Sequence, residues 1–214
     1  MIKATALLFA VLLMALPAAA QDSEILYVSG NAWETGGFPP SEVNDLFVAV
    51  GILNEIGNPL IWDTSNYSYT WYVRDLVSLG ETTFGPVHVS TYSGGLFTIY
   101  VDWLPSNHDY GVAPPNTTVP STFTDGISTY LDGYFTDFSM TFNTDTLTGT
   151  FNGTLAFTGG DVFPLLTATD GWTFGSNLAG FSPTGYDLQI NGQVELLVVS
   201  VEEKTFGGIK ALYR

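Results

Sequence analysis

Two histidines, His88 and His108, are the only candidates in this chain for an imidazole base or an imidazole metal ligand. His108 lies in residues 105–125, a segment with four prolines and no hydrophobic periodicity, which predicts a long loop. Loops of this length inside compact domains commonly carry function, so His108 is a candidate ligand-binding residue. A loop histidine without a role is the alternative. His88 lies in a predicted strand, which favours a structural role.

Acidic residues in and after the same loop suggest a calcium site, the one cofactor that the sequence points to. Calcium prefers several oxygen ligands from carboxylates, amides and backbone carbonyls. The candidate ligands are Asp109, Asp125, Asp132 and Asp137. Their spacing does not match the Asp-x-Asp-x-Asp-Gly calcium loop, so ordinary turn and surface carboxylates are the alternative.

Two of the five tryptophans, Trp33 and Trp172, lie in glycine-rich stretches that are predicted to be loops. An exposed aromatic face can stack on a sugar ring, so these two residues join His108 as candidate ligand-binding residues. Trp71 and Trp103 lie in predicted strands, where packing in the core explains them.

The familiar catalytic signatures are missing from the sequence. It contains no Gly-x-Ser-x-Gly elbow, no His-Glu-x-x-His motif, no phosphate-binding loop and no dinucleotide fingerprint. The 21 acidic residues make some pair near glycosidase spacing inevitable, but the sequence favours no particular pair. No catalytic residue is therefore assigned.

The formal net charge of −16 restricts the partners that the protein can have. Nucleic acids and anionic lipids are bound through clustered Lys and Arg, so neither is an expected partner. Arg74 is the only basic residue between Lys3 and Lys204. Pairing with a neighbouring carboxylate is expected for it, and an anion site is the alternative.

Residues 1–20 predict a secretory signal peptide, because Lys3 precedes an apolar run that ends in Ala18-Ala19-Ala20. No later stretch approaches the roughly 20 apolar residues of a membrane-spanning helix, and without cysteine no lipid can be attached through a thiol. Residues 21–201 are thus expected to form a single secreted domain, extracellular or periplasmic, with no stable membrane anchor.

The last residues, 202–214, differ in character from the rest of the chain. Phe206, Ile209 and Tyr213 recur at helical spacing among three basic residues, which predicts a short amphipathic helix. A frayed terminus is the alternative, because Gly207 and Gly208 weaken a helix.

Alternating apolar residues predict an all-β chain of about eight strands. The clearest element is a long hairpin over residues 134–158, with its turn at residues 143–149 and a bulge at Asn152-Gly153. Asn191-Gly192 predicts the turn of a second hairpin. Residues 45–53 are apolar on both faces, which predicts a strand covered on each side, or alternatively a helix beginning near Ser41.

An antiparallel β-sandwich of jelly-roll or immunoglobulin-like type is the predicted fold. The predicted function is that of a secreted, non-catalytic envelope or extracellular-matrix component that binds polysaccharide or another envelope protein through its loops. An extracellular glycan-directed hydrolase with a carboxylate pair is one alternative. A small outer-membrane β-barrel is another, although strands that are apolar on both faces count against it.

Overall fold

A computed structural model of the chain describes residues 25–110 and 121–196, which form one closed antiparallel barrel. The strands follow one another around the ring in chain order, and the first also pairs with the last. The strands are β1 (Ile25–Glu34), β2 (Leu46–Ile56), β3 (Tyr67–Phe84), β4 (Val87–Trp103), β5 (Ser128–Asn143), β6 (Thr148–Gly159), β7 (Trp172–Ala179) and β8 (Leu188–Leu196). Two short 3-10 turns, Ser121–Phe123 and Phe163–Leu165, lie in the connections.

The prediction of an all-β chain with about eight antiparallel strands is confirmed, but the strands close into a barrel instead of a sandwich. Leu26 of β1 pairs with Val194 of β8, and Ala32 pairs with Leu188, so the two terminal strands join. Sandwiches and barrels both bury one face of every strand. The alternation of apolar residues is therefore the same in both folds and cannot distinguish them.

Large aromatic side chains fill the inside of the barrel. The rings of Trp71 and Phe97 are 6.4 Å apart, and those of Phe97 and Phe174 are 5.4 Å apart. All three side chains are at most 1% exposed. The interior of an eight-stranded barrel is just wide enough to be filled by side chains or to hold one small ligand, and here buried side chains fill it. The interior is thus the hydrophobic core, and a ligand has to bind at the ends or on the outer wall.

The hairpin predicted over residues 134–158 is confirmed by β5 and β6, but the predicted bulge is in the wrong place. The ladder runs without interruption through Asn152 and Gly153, and its two irregularities lie on β5, between Asp132 and Gly133 and between Phe135 and Asp137. Thr136, the extra residue at the second of these, shifts the alternation, so that Phe135 is buried whereas Tyr134 is 42% exposed.

The second hairpin predicted at Asn191-Gly192 is wrong, because β8 runs straight through both residues. A Cβ atom at Gly192 would lie 2.6 Å from the Cβ of Ser176 on β7. Gly192 is therefore required for the close approach of two strands and not for a turn.

The strand predicted over residues 45–53 is confirmed as β2, and its outer face is covered by a second hydrophobic cluster. The buried members of this outer cluster are Trp33, Val50, Phe123 and Tyr186. Thr70 Oγ1 donates a hydrogen bond to the carbonyl of Phe123 at 3.1 Å, and the Tyr186 hydroxyl donates to the carbonyl of Tyr110 at 2.6 Å. The described ends of the connection between β4 and β5, residues 104–110 and 121–127, thus pack against the barrel wall and cover β2 without a second sheet.

The predicted signal peptide, residues 1–20, and the predicted tail, residues 202–214, lie outside the described residues. Within the described ranges, no helix has the length and apolar character needed to cross a lipid bilayer.

Candidate functional site

The structure does not bring the three predicted ligand-binding residues together in one exposed site. Trp33 lies in β1 and is 4% exposed, and Trp172 lies in β7 and is 0% exposed, so their predicted placement in loops is wrong. Trp33 packs edge-on against Tyr186 at 5.3 Å in the outer cluster, and Trp172 packs against Phe157 at 5.1 Å in the core. Neither ring has a face that a ligand could reach, so His108 is the one remaining candidate of the three predicted ligand-binding residues.

The four predicted calcium ligands are not gathered into one site. Asp132 Oδ1 accepts a hydrogen bond from Thr98 at 2.7 Å on the barrel wall, and Asp137 lies at the bulge in β5. Asp109 and Asp125 belong to the connection between β4 and β5. Among the described residues, no group of three or more His, Asp or Glu side chains is arranged to hold a metal ion.

Other aromatic residues do gather at one end of the barrel, where β2 leads into β3 and β4 leads into β5. A cleft of about 380 Å³ opens there. We call it the aromatic cleft, and the residues lining it are Ile52, Leu53, Asn54, Trp62, Thr64, Tyr67, Ser68, Tyr69, Leu104 and His108. The set combines flat aromatic walls with hydroxyl and amide groups, a mixture that is typical of small-molecule and sugar sites.

Strand ends hold the rings of the aromatic cleft in place. Tyr67, the first residue of β3, pairs in register with Trp103, the last residue of β4, and their rings are 4.8 Å apart. Trp62 comes from the connection before β3, and its ring lies 4.8 Å from that of Tyr69. Trp103 does not line the cleft itself, but it packs on Tyr67, which does, and it remains 55% exposed. Its indole therefore presents a fixed aromatic surface to solvent.

His108 lines the aromatic cleft and makes polar contacts within the connection between β4 and β5. Its Nδ1 lies 3.3 Å from the carbonyl oxygen of Thr122, and its Nε2 lies 3.1 Å from Ser106 Oγ. Ser106 Oγ in turn donates to Ser68 Oγ on β3 at 2.6 Å. Both ring nitrogens are thus engaged in holding the loop on the barrel. This arrangement suits a positioning residue better than a catalytic base.

A buried polar cluster closes the opposite end of the barrel, beneath the connection between β1 and β2. Glu34 ends β1 and is 2% exposed; its Oε1 accepts a hydrogen bond from the Tyr92 hydroxyl, and its Oε2 has no partner among the described residues. Burial raises the pKa of Glu34 to about 7, and the hydrogen bond from Tyr92 only partly opposes this effect. A carboxyl with such a pKa is typical of general acids.

The connection above Glu34 is held down by further hydrogen bonds. Ser41 Oγ lies 2.8 Å from Ser78 Oγ, and the backbone N–H of Ser41 donates to Glu81 Oε2 at 3.0 Å. Glu81 also pairs with His88, at 2.8 Å, so His88 has a structural contact. Since this cover closes Glu34 to solvent, its raised pKa marks an internal group and not one in contact with a substrate.

Arg74 pairs with the adjacent carboxylate of Asp75 at 3.3 Å, the contact that the sequence predicts for it. Both side chains are largely exposed, at 41% and 59%, so the pair contributes little to stability. Arg74 is the only Lys or Arg within the described ranges. The barrel surface described here is thus strongly acidic.

No family model matches this chain, and neither the curated proteins nor the solved structures include a match to it. Its function therefore has to be inferred from the aromatic cleft, the charge of the surface and the composition of the barrel wall.

Proposed function

We propose that this protein is a secreted, non-catalytic barrel that binds neutral polysaccharide as a component of the cell envelope or extracellular matrix. The observation that carries the proposal is the aromatic surface at one end of the barrel, where the exposed ring of Trp103 packs on the half-buried ring of Tyr67. The half-buried Trp62 lines the same cleft as Tyr67. Such rings bury the apolar face of a sugar at little cost in side-chain entropy. Asn54 and Ser68, which line the same cleft, supply hydrogen-bonding groups for sugar hydroxyls.

The charge of the protein supports a neutral ligand. A formal net charge of −16 repels uronic acids, sulfated glycans and phosphate polymers. Uncharged sugars are not subject to this electrostatic repulsion. The polysaccharide that fits this surface is therefore one without acidic groups.

The two alternative functions have less support. A hydrolase needs a carboxylate pair that faces its substrate, whereas Glu34, the carboxyl whose pKa is raised to about 7, is 2% exposed. Closure into eight strands is common to small outer-membrane barrels, but those present an apolar band to lipid. On β6, β7 and β8 the outward positions hold mainly hydroxyl and amide side chains: Thr148, Thr150, Asn152, Thr173, Asn177, Gln189, Asn191 and Gln193.

Replacing Trp103 by alanine is expected to weaken polysaccharide binding by about tenfold, or about 1.4 kcal/mol, because the exposed indole is lost. The measurement is the retardation of the full chain in native gels that contain neutral β-glucan or galactomannan, followed by calorimetry on the stronger binder. Polygalacturonate serves as the acidic polymer and is expected to cause no retardation.

Phe181 provides a matched control, because it is 74% exposed and lies in the connection between β7 and β8, at the other end of the barrel. The Phe181→Ala variant is expected to bind like the parent chain. Equal losses in both variants, or stronger retardation by polygalacturonate than by the neutral polymers, would contradict the proposal.

A further inference from the structure

A shallow depression of about 800 Å³ lies on the outer wall of the barrel, away from the aromatic cleft. It is formed by four strands that are neighbours in the closed ring: β6, β7, β8 and β1. Gly175 lies on β7, and its missing side chain leaves a gap in the wall. A Cβ atom placed there would meet only the carbonyl oxygen of Phe151, at 4.0 Å.

The strand register arranges the polar side chains around Gly175 in rows. Thr150 of β6 pairs with Asn177 of β7, which pairs with Asn191 of β8, so these three side chains form one row across the wall. In the next row Gly175 lies between Asn152 and Gln193. Neighbouring strands are about 4.8 Å apart, so a row that continues to β1 is about 14 Å long.

The chemistry of these rows is uncharged and rich in hydrogen-bonding groups. Each carboxamide offers two donors and one acceptor oxygen. Asn152, Asn177 and Asn191 are all exposed, and Tyr27 on β1, which is 40% exposed, adds an aromatic face at one edge. Glu195 is the one carboxylate of the depression, and Gln193 donates a hydrogen bond to it at 3.0 Å. On a chain with a net charge of −16, this face stands out as nearly neutral.

We infer that the outer wall around Gly175 is a second binding site, which takes an uncharged polysaccharide chain laid across β6, β7, β8 and β1. Carboxamides and hydroxyls exchange hydrogen bonds with sugar hydroxyls without desolvating a charge. A row of about 14 Å exceeds one sugar ring, so the ligand is an oligomer or polymer. A peptide strand cannot add to this wall by backbone pairing, because both edges of every strand here are already paired. The site does not depend on the aromatic cleft.

The test fills the gap at Gly175 with valine in the full chain. The added side chain meets open space and a β-branched residue suits a strand, so the thermal unfolding midpoint is expected to stay near that of the parent. Binding to neutral β-glucan or galactomannan is expected to weaken about tenfold. The double variant Asn177→Ala, Asn191→Ala removes two adjacent amides of one row and is expected to show a similar loss.

The Trp103→Ala variant, measured beside these two, separates the two sites. Residual binding in Trp103→Ala that disappears when Gly175→Val is added supports two sites. A folded Gly175→Val variant that binds like the parent overturns the inference, even if Trp103→Ala loses binding and the aromatic cleft stands. A parent chain that binds neither neutral polymer overturns it as well.

Discussion

Replacing Gly51 by alanine is expected to destabilise the barrel by about 4 kcal/mol, a large part of the 5–15 kcal/mol that stabilises a typical domain. Gly51 of β2 is paired with Gly30 of β1, and the indole of Trp71 packs over both. A Cβ atom at Gly51 would lie 2.6 Å from Trp71 Nε1 and 2.7 Å from Gly30 Cα. The indole would have to move and lose its 3.1 Å hydrogen bond to the Ser29 carbonyl.

Urea titration of the parent and variant chains measures this effect as a shift of the unfolding midpoint. Gly175→Ala is the matched control, since it adds the same methyl group to a strand where the space is open. It is expected to change the free energy of unfolding by less than about 1 kcal/mol. Similar midpoints for the two variants would show that the packing of Trp71 on the paired glycines does not limit stability.

The Glu34→Gln variant is expected to gain about 3 kcal/mol of stability relative to the parent chain between pH 4 and pH 8. Burial raises the pKa of Glu34 from 4.5 to about 7 in the folded state. Below pH 4.5 the carboxyl of Glu34 is protonated in both the folded and the unfolded chain, so it does not lower the free energy of unfolding of the parent. Between pH 4.5 and 7 only the unfolded chain releases it, and the stability of the parent falls as pH rises. Above pH 7 the folded chain also releases the proton, and the full destabilisation of the parent by the buried charge is present.

Glutamine keeps an acceptor for the Tyr92 hydroxyl but does not ionise, so the variant lacks this pH dependence. Its amide leaves a donor where Glu34 Oε2 has no partner, which adds a constant cost at every pH. The diagnostic quantity is therefore the change with pH in the difference between the two unfolding free energies. Glu42→Gln, at an exposed position of the same connection, is the matched control. A flat difference for Glu34→Gln would mean that the carboxyl is not held neutral by burial.

Much of the strand structure follows from local alternation in the sequence. Phe138, Met140 and Phe142 alternate with polar residues and all point into the core, as predicted for the hairpin of β5 and β6. The closure of the ring does not follow in this way. Nothing near Leu26 indicates that its partner is Val194, because that pairing depends on the curvature of the whole sheet.

The candidate site is harder to predict than the strands. Inward side chains in the middle of a strand are buried in the core, whereas side chains at the end of a strand can extend beyond it. Trp103 alternates with core residues of β4, which predicts packing in the core, but this prediction is wrong because the side chain is 55% exposed. The available signal is its position directly before Leu104-Pro105, where the alternation stops. The burial of Glu34 has a similar signal in the sequence. Leu26, Val28 and Ala32 are inward-facing positions of β1, and Glu34 continues the same alternation with a carboxylate.

The pairing of β1 with β8 has a consequence for how the chain folds. Residues at opposite ends of the described chain must meet before the ring is complete, and such long-range contacts are reached slowly because loop closure costs entropy. Until β8 is in place, β1 and β7 each present an unpaired edge that can capture another chain. The chain reaches this protected state only after its eighth strand has paired with the first, so the interval before closure is when it is most exposed to aggregation.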